Sequence, residues 1–157
     1  MTRNYGRAPS GERVREATPS SHWHTLTMLA ALTTKGLQAP MTIESATDGD
    51  VFLAYLEQVL CPQLQPGQVV IMDNLAAHKV KGVRERIEAR GARLLYLPPY
   101  SPDFNPIEQA WSKIKQLLRS AKARTVAALE RAVAEALAAI TPENALAWFA
   151  HCGYGLQ

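Results

Sequence analysis

Residues 69–108 read VVIMDNLAAHKVKGVRERIEARGARLLYLPPYSPDFNPIE, and the fold turns on this stretch. Val69-Val70-Ile71-Met72 is an apolar, β-branched run that ends on Asp73. It is too short for a helix and follows the breakers Pro62, Pro66 and Gly67, so Gln68 to Asp73 reads as a buried strand. Val80 to Arg90 is charged with helical spacing, and Gly91 takes the position after a helix C-terminus. Ala92 to Leu97 is a second apolar strand. Strand, helix and strand at this length predict a parallel pair joined by a right-handed crossover. Parallel strands end on the same edge of a sheet, and that edge is where α/β folds place their ligands. Asp73 ends the first strand there. The loop leaving the second strand carries Glu108, with 34 residues between the two carboxylates.

Upstream, Val51 to Leu60 reads as a helix with positions 52, 55, 56, 59 and 60 on its apolar face and Asp48 or Asp50 as its cap. His22 to Thr34 reads as a strand, Lys35-Gly36 as a turn and Ala39 to Glu44 as a second strand, which together make a hairpin. His22 and His24 alternate around Trp23 and share one strand face, as a structural pair does. The first 21 residues are polar and turn-rich, with Arg13-Val14-Arg15 as a possible short strand. Downstream, three helices are predicted: Pro106 to about Ala121, Thr125 to about Ile140 with Thr125 as cap, and one opening at Thr141-Pro142-Glu143 and ending near His151. Trp148, Phe149 and Tyr154 are expected to pack the last helix onto the body. The class is α/β.

Composition narrows the function only a little. At 157 residues and 47% hydrophobic content the chain is one domain with a core, not a disordered segment. A net charge of +3 permits nucleic acid as a partner without requiring it. The distribution says more: Gln109 to Leu129 holds no acidic residue, while Lys113, Lys115, Arg119, Lys122 and Arg124 all fall there. Cys61 and Cys152 have neither zinc-ligand spacing nor neighbouring histidines, and a reducing, cytoplasmic setting is expected. No apolar run is long enough to span a membrane, and the N-terminus lacks a signal-peptide core.

Two carboxylates brought to one sheet edge suit a divalent metal centre for phosphoryl transfer, where oxygen ligands hold magnesium or manganese. Each carboxylate also has a plainer reading. Asp73-Asn74 is a common turn pair, and Asn105-Pro106-Ile107-Glu108 matches a helix capping box with Glu108 at its third position. The pairing and the loop between them favour the metal.

Residues 97–108, Leu-Pro-Pro-Tyr-Ser-Pro-Asp-Phe-Asn-Pro-Ile-Glu, resemble the signature of DDE transposases of the IS630/Tc1/mariner superfamily, as does the segment Asp73-Asn74-Leu75-Ala76-Ala77-His78. The resemblance is dense over 69–118. A weaker likeness to the IS630 branch extends to Tyr5-Gly6-Arg7-Ala8-Pro9 and Cys152-Gly153-Tyr154. It implies an RNase H-like mixed sheet flanked by helices, with a C-terminal helical segment. It further implies metal-dependent DNA cleavage and strand transfer in transposition of an insertion sequence, with Mg2+ or Mn2+ as cofactor. Asp73 and Glu108 would be the second and third acidic residues of the catalytic and metal-binding triad. The first lies, in the family, on a central strand before the Tyr-Gly-Arg-Ala-Pro stretch, so residues 1–157 are expected to form a partial catalytic domain lacking that strand. The family's DNA-binding helices would lie upstream. Without the central strand, its neighbours should carry unpaired edges. Asp48 and Asp50 fall at a helix cap and do not replace the missing carboxylate. Whether such a chain is an enzyme by itself is left open. The alternative is an inactive remnant that binds DNA or associates with an intact transposase, and a homodimer or an upstream transposase fragment is the expected protein partner. The resemblance implies a bacterial, nucleoid-associated location.

The helix after Glu108 adds an argument from spacing. At 100° per residue, Trp111, Ile114, Leu118 and Ala121 form its buried stripe. Lys115, Arg119 and Lys122 fall within about 40° of Glu108 on the adjacent face. That ridge suits a DNA backbone leading to the metal site, though a solvated helix face has the same pattern. His78 and Lys79, just past Asp73, are candidates for phosphate contact or simply a surface helix terminus. Tyr100 could stack on a base or merely anchor its loop.

Overall fold

The computed structural model describes residues 7–13 and 25–155, so the expected strand at 13–15 and the His22/His24 pair lie outside the described residues. Strands β1 (Thr27–Thr33) and β2 (Gly36–Ile43) form the expected antiparallel hairpin. Thr33 pairs with Gly36 across the two-residue turn, where Gly36 has φ +101. The register slips between Leu29 and Ala31, so that Ala39 and Pro40 together face Ala30. This bulge absorbs two oddities of the sequence. Ala39 takes φ +51, and Pro40, which has no amide hydrogen, sits where the ladder is already interrupted.

Helix α1 (Gly49–Tyr55) opens as expected, with the Asp48 carboxylate accepting from Val51 N at 2.9 Å. It then widens into a π turn over Leu56–Leu60 and tightens into a 3-10 turn over Cys61–Gln63. Phe52, Tyr55, Leu56 and Leu60 are nevertheless buried together. Strand β3 (Val69–Met72) and strand β4 (Arg93–Tyr96) pair in parallel, from Val69 opposite Arg93 to Met72 opposite Tyr96. The connecting helix is shorter than the charge pattern suggests. A 3-10 turn covers Ala76–Lys79, and α2 spans only Val83–Glu88. Gly82 lies between them at φ +99, a left-handed conformation that no continuous helix contains.

The last three helices are α3 (Ile107–Ala121), α4 (Val126–Ala138) and α5 (Pro142–His151). Thr125 caps α4, and Thr141 with Asn144 forms a capping box on α5. In α3 the buried residues are Ala110, Ile114 and Leu118; Trp111 is half-buried and Ala121 exposed, so the stripe lies slightly to one side of its expected position. Lys113 Nζ donates to the Ala139 carbonyl (2.8 Å) and to Asn144 Oδ1 (2.6 Å), tying α3 to the α4–α5 junction. Lys113→Met keeps the aliphatic stem but loses both bonds, leaving Asn144 Oδ1 with only the Thr141 amide. We expect it to destabilise the protein by roughly 1–3 kcal/mol, read in a denaturant titration.

Two apolar clusters result. One joins α1, the π turn and α2 to both sheets through Leu29, Met41, Val70, Met72 and Leu94. The other joins α3 and α4 to the opposite face of β1 through Met28 and Leu32. The hairpin is thus covered on both faces, in a mixed α/β arrangement. The two strand pairs remain separate: among the described residues, β1 pairs only with β2, and β3 only with β4.

Candidate active site at the strand ends

Asp73 follows the last residue of β3 and Glu108 the first residue of α3, and both line one elongated cavity of about 810 Å³. The Asp73 carboxylate is fixed through one oxygen. Its Oδ1 accepts from Leu75 N at 2.9 Å and meets His78 Nδ1 at 2.7 Å. A carboxylate only accepts, so Nδ1 carries the hydrogen of that second bond. His78 is itself held: its ring packs on Phe52 with centroids 4.5 Å apart, and its carbonyl accepts from the Tyr96 hydroxyl at 2.6 Å. The second oxygen of Asp73 makes no hydrogen bond to any described residue, and its side chain keeps 43% of its surface exposed. Sequence spacing identified His78 but not this bond, for which the only signal is an aspartate and a histidine five residues apart.

Glu108 reaches the site through an ordered loop. After β4 the Leu97 amide donates to the Met72 carbonyl at 2.8 Å, and the Asn74 side-chain amide donates to the Leu97 carbonyl. The exit of β3 is thus bonded to the start of the loop that carries Glu108. Asn74 was not singled out in the sequence, and only its place beside Asp73 could have suggested it. Farther along, the loop turns through Tyr100 at φ +55 and a 3-10 turn at Pro102–Phe104. The Tyr154 hydroxyl, stacked edge-on against Phe149, holds the Phe104 carbonyl at 2.8 Å. The capping box read at Asn105 does not form. Helix α3 has no side-chain cap; its start is held by backbone bonds, Glu108 N to the Asn105 carbonyl at 3.1 Å and Gln109 N to the Pro106 carbonyl at 3.2 Å. The Glu108 carboxylate is exposed and makes no hydrogen bond to any described residue, which leaves it available to a ligand.

The basic candidates lie in different settings. Lys115 and Arg119 are exposed on α3 along the Glu108 side of the helix. Lys122 stands past the helix end at φ +48, so helical periodicity no longer sets its direction. Lys79 is exposed, with its ammonium 5.7 Å from the Tyr96 ring centre. Tyr100 is fully exposed at the loop tip. Among the described residues, no three carboxylate, histidine or cysteine side chains converge on a common point. The chemistry of the donor set suits a hard cation all the same: two carboxylates lining one open cavity, each with oxygens uncommitted. Both cysteines are buried free thiols, Cys61 against the Arg86 carbonyl and Cys152 at the end of α5.

Residues 1–130 match the family described as DDE superfamily endonuclease. Comparison with curated protein sequences gives no match. Among solved structures, the Mos1 paired-end complex with left transposon end superposes with a TM-score of 0.71 at 14% identity, over 97% of this chain and 47% of that one. The Mos1 strand transfer complex gives 0.70 at 15% identity over 97% and 46%. A pre-cleavage Mos1 transpososome gives 0.69 at 14% identity over 100% and 53%. The chain therefore spans about half the length of these proteins. At such identities the likeness establishes the fold, the RNase H-like mixed α/β arrangement expected from the sequence. No helix among the described residues is long and apolar enough to cross a membrane.

Proposed function

Because this chain belongs to the DDE superfamily endonucleases, we propose that it supplies the catalytic-domain portion of an insertion-sequence transposase of the IS630 kind, which cuts and joins DNA strands at transposon ends. The observation that carries this reading is that Asp73, just past a strand end, and Glu108, in the first turn of a helix, both line one cavity. Asp73 and Glu108 are the residues that would hold Mg2+ or Mn2+. The chemistry such an ion would supply there is activation of a water or a 3′-hydroxyl and stabilisation of the leaving oxygen.

The chain's own groups prepare that end for chemistry. Leu75 N and His78 lock the Asp73 carboxylate in one orientation, leaving its other oxygen to the ion. His78 thus acts as a positioning residue, its ring turned inward onto Asp73 and Phe52. The Asn74 and Tyr154 bonds hold the loop that leads into α3 at its two ends, Leu97 and Phe104. Lys115, Arg119 and Lys122, with Lys79 near the strand end, offer cations to a DNA backbone approaching Glu108, and Tyr100 offers a ring to an unstacked base. The solved relatives are a strand transfer complex, a paired-end complex with a transposon end and a transpososome, which supports DNA as the partner. A homodimer or an upstream transposase fragment is the proposed protein partner.

Titration with Mn2+ tests the metal site on this chain directly. Paramagnetic broadening of backbone amide signals is expected to centre on residues 72–75 and 106–109, and to vanish in Glu108→Gln. Broadening centred elsewhere refutes the assignment. For DNA, the double variant Lys115→Ala/Arg119→Ala is expected to weaken binding to unrelated duplexes alike and to flatten the salt dependence. The slope of log K against log salt should fall by about two, one for each lost phosphate contact. An unchanged slope assigns these residues to a merely solvated face.

A further inference from the structure

Positive charge on this chain gathers in two tracts. Residues 79–93 hold Lys79, Lys81, Arg84, Arg86, Arg90 and Arg93 against Glu85 and Glu88, a net +4. Residues 109–129 hold five cations and no acid, a net +5. The whole chain is only +3, so the remaining residues together are net negative. The second tract is α3 and its exit, where Lys115 and Arg119 lead away from Glu108. The first is the crossover between β3 and β4.

Ion pairs do not consume the charge of the crossover. Arg84 bonds Glu88 at 2.9 Å and Arg86 meets Glu57 at 3.6 Å, which commits two of the six cations. Lys79 and Lys81 are exposed and have no ion-pair partner among the described residues. Like charges gathered without partners repel, and an approaching anion relieves that repulsion. Two of the cations also converge on one ring. The Lys79 ammonium lies 5.7 Å and the Arg84 guanidinium 5.9 Å from the centre of Tyr96. Tyr96 is fixed in turn by its hydroxyl bond to the His78 carbonyl at 2.6 Å. Lys79 is thus held next to the histidine that bonds Asp73, and the head of the tract adjoins the cavity that both residues line.

The two tracts leave that cavity on opposite layers of the fold. Val83 and Ile87 of α2 belong to the cluster that meets the hairpin through Leu29 and Met41. Ile114 and Leu118 of α3 belong to the cluster that meets its other face through Met28 and Leu32. The hairpin therefore stands between them, and a straight run of phosphates along one tract cannot also follow the other.

We infer that the crossover seats a second DNA segment, distinct from the one along α3, with Lys79 and Lys81 as its phosphate contacts nearest the cavity. The inference rests on the reading of DNA as the partner and deepens it. Joining strands requires two DNA segments to meet at one site, and the chain offers a basic seat for each.

The test titrates the isotope-labelled chain with a short duplex of arbitrary sequence at low salt, following amide NMR shifts and stoichiometry. With duplex in excess, two groups of signals are expected to move, residues 79–84 with 96 and residues 113–120, at two duplexes per chain. Lys79→Ala/Lys81→Ala should weaken the response of the first group about tenfold or more, and leave the second within about twofold, since each lost phosphate contact removes one counterion-release contribution. Lys115→Ala/Arg119→Ala should do the reverse. All four side chains are exposed, and unmoved signals elsewhere in the spectrum verify that each variant is folded. Loss of both groups together in either variant makes the tracts a single surface and overturns the inference. So does a crossover that responds to a poly-glutamate peptide where duplex leaves it unmoved, which assigns it to an acidic protein. A crossover silent to duplex while α3 responds also overturns it, and leaves DNA as the partner of α3. Silence of both tracts removes DNA binding itself, and the proposed function with it.

Discussion

In the complete transposase, Asp73→Asn is expected to lower metal-dependent strand cleavage by about a thousandfold or more, because metal stabilisation of the reacting oxygens is worth several kcal/mol and each 1.36 kcal/mol is tenfold. The substitution is chosen for what it spares. Asp73 Oδ1 already accepts from Leu75 N and His78 Nδ1, and an asparagine carbonyl oxygen can take both bonds. The turn after β3 should therefore survive, with a melting temperature within about 2 °C of the parent, as for substitutions that break no buried contact. What changes is the second oxygen, which becomes an amide nitrogen, a donor with no affinity for a cation. Cleavage is measured on labelled end-sequence duplexes, with thermal melting on the same preparations. Retention of activity within tenfold removes Asp73 from the catalytic centre. Loss of activity together with a large fall in melting temperature leaves a structural role as the explanation. His78→Ala gives the graded counterpart: losing the bond that orients Asp73 should cost activity by less than losing the carboxylate.

The features legible in the sequence are those set by period and punctuation. The parallel pair of β3 and β4 follows from two short apolar runs spaced by a helix-length segment, and the place of Asp73 just past β3 follows with it. The hairpin, the Asp48 cap and the caps Thr125 and Thr141 are local signals that tertiary packing did not override. The misses arise where a local signal yields to packing. Gly82 sits inside a helical charge pattern, but its left-handed backbone splits the crossover into a 3-10 turn and the short α2. The π turn at Leu56–Leu60 was not readable, since the apolar positions fit an ordinary helix equally well. Asn105 and Glu108 have capping-box spacing, yet the bonds at Asn74 and Tyr154 fix the incoming loop instead, and the box does not close. Lys122 was placed by helical periodicity one residue past the point where the helix ends.

Ile114→Ala is expected to be the most damaging core substitution on the helix that carries Glu108. Ile114 is 0% exposed, in a cluster with Ala110, Leu118, Val133, Ala136 and Ile140, so α3 rests on α4 through it. Removing three carbons there loses their transfer energy and leaves a void, costing about 2–5 kcal/mol. For a chain of this size each kcal/mol lowers the melting temperature by roughly 2–4 °C, so a loss near 3 kcal/mol gives a fall of roughly 6–12 °C. Leu117→Ala, three residues on and 36% exposed, is the matched control and should cost less than about 1 kcal/mol. Equal melting temperatures for the two variants refute the packing of α3 on α4. The site should fare differently from the fold. The start of α3 is held by the Asn74 bond to the Leu97 carbonyl and the Tyr154 bond to the Phe104 carbonyl, neither of which touches Ile114. Below its melting temperature the Ile114→Ala chain should therefore keep the Mn2+ broadening at residues 72–75 and 106–109. If broadening at 106–109 disappears while the chain is still folded, the packing of α3, and not the loop, is what positions Glu108.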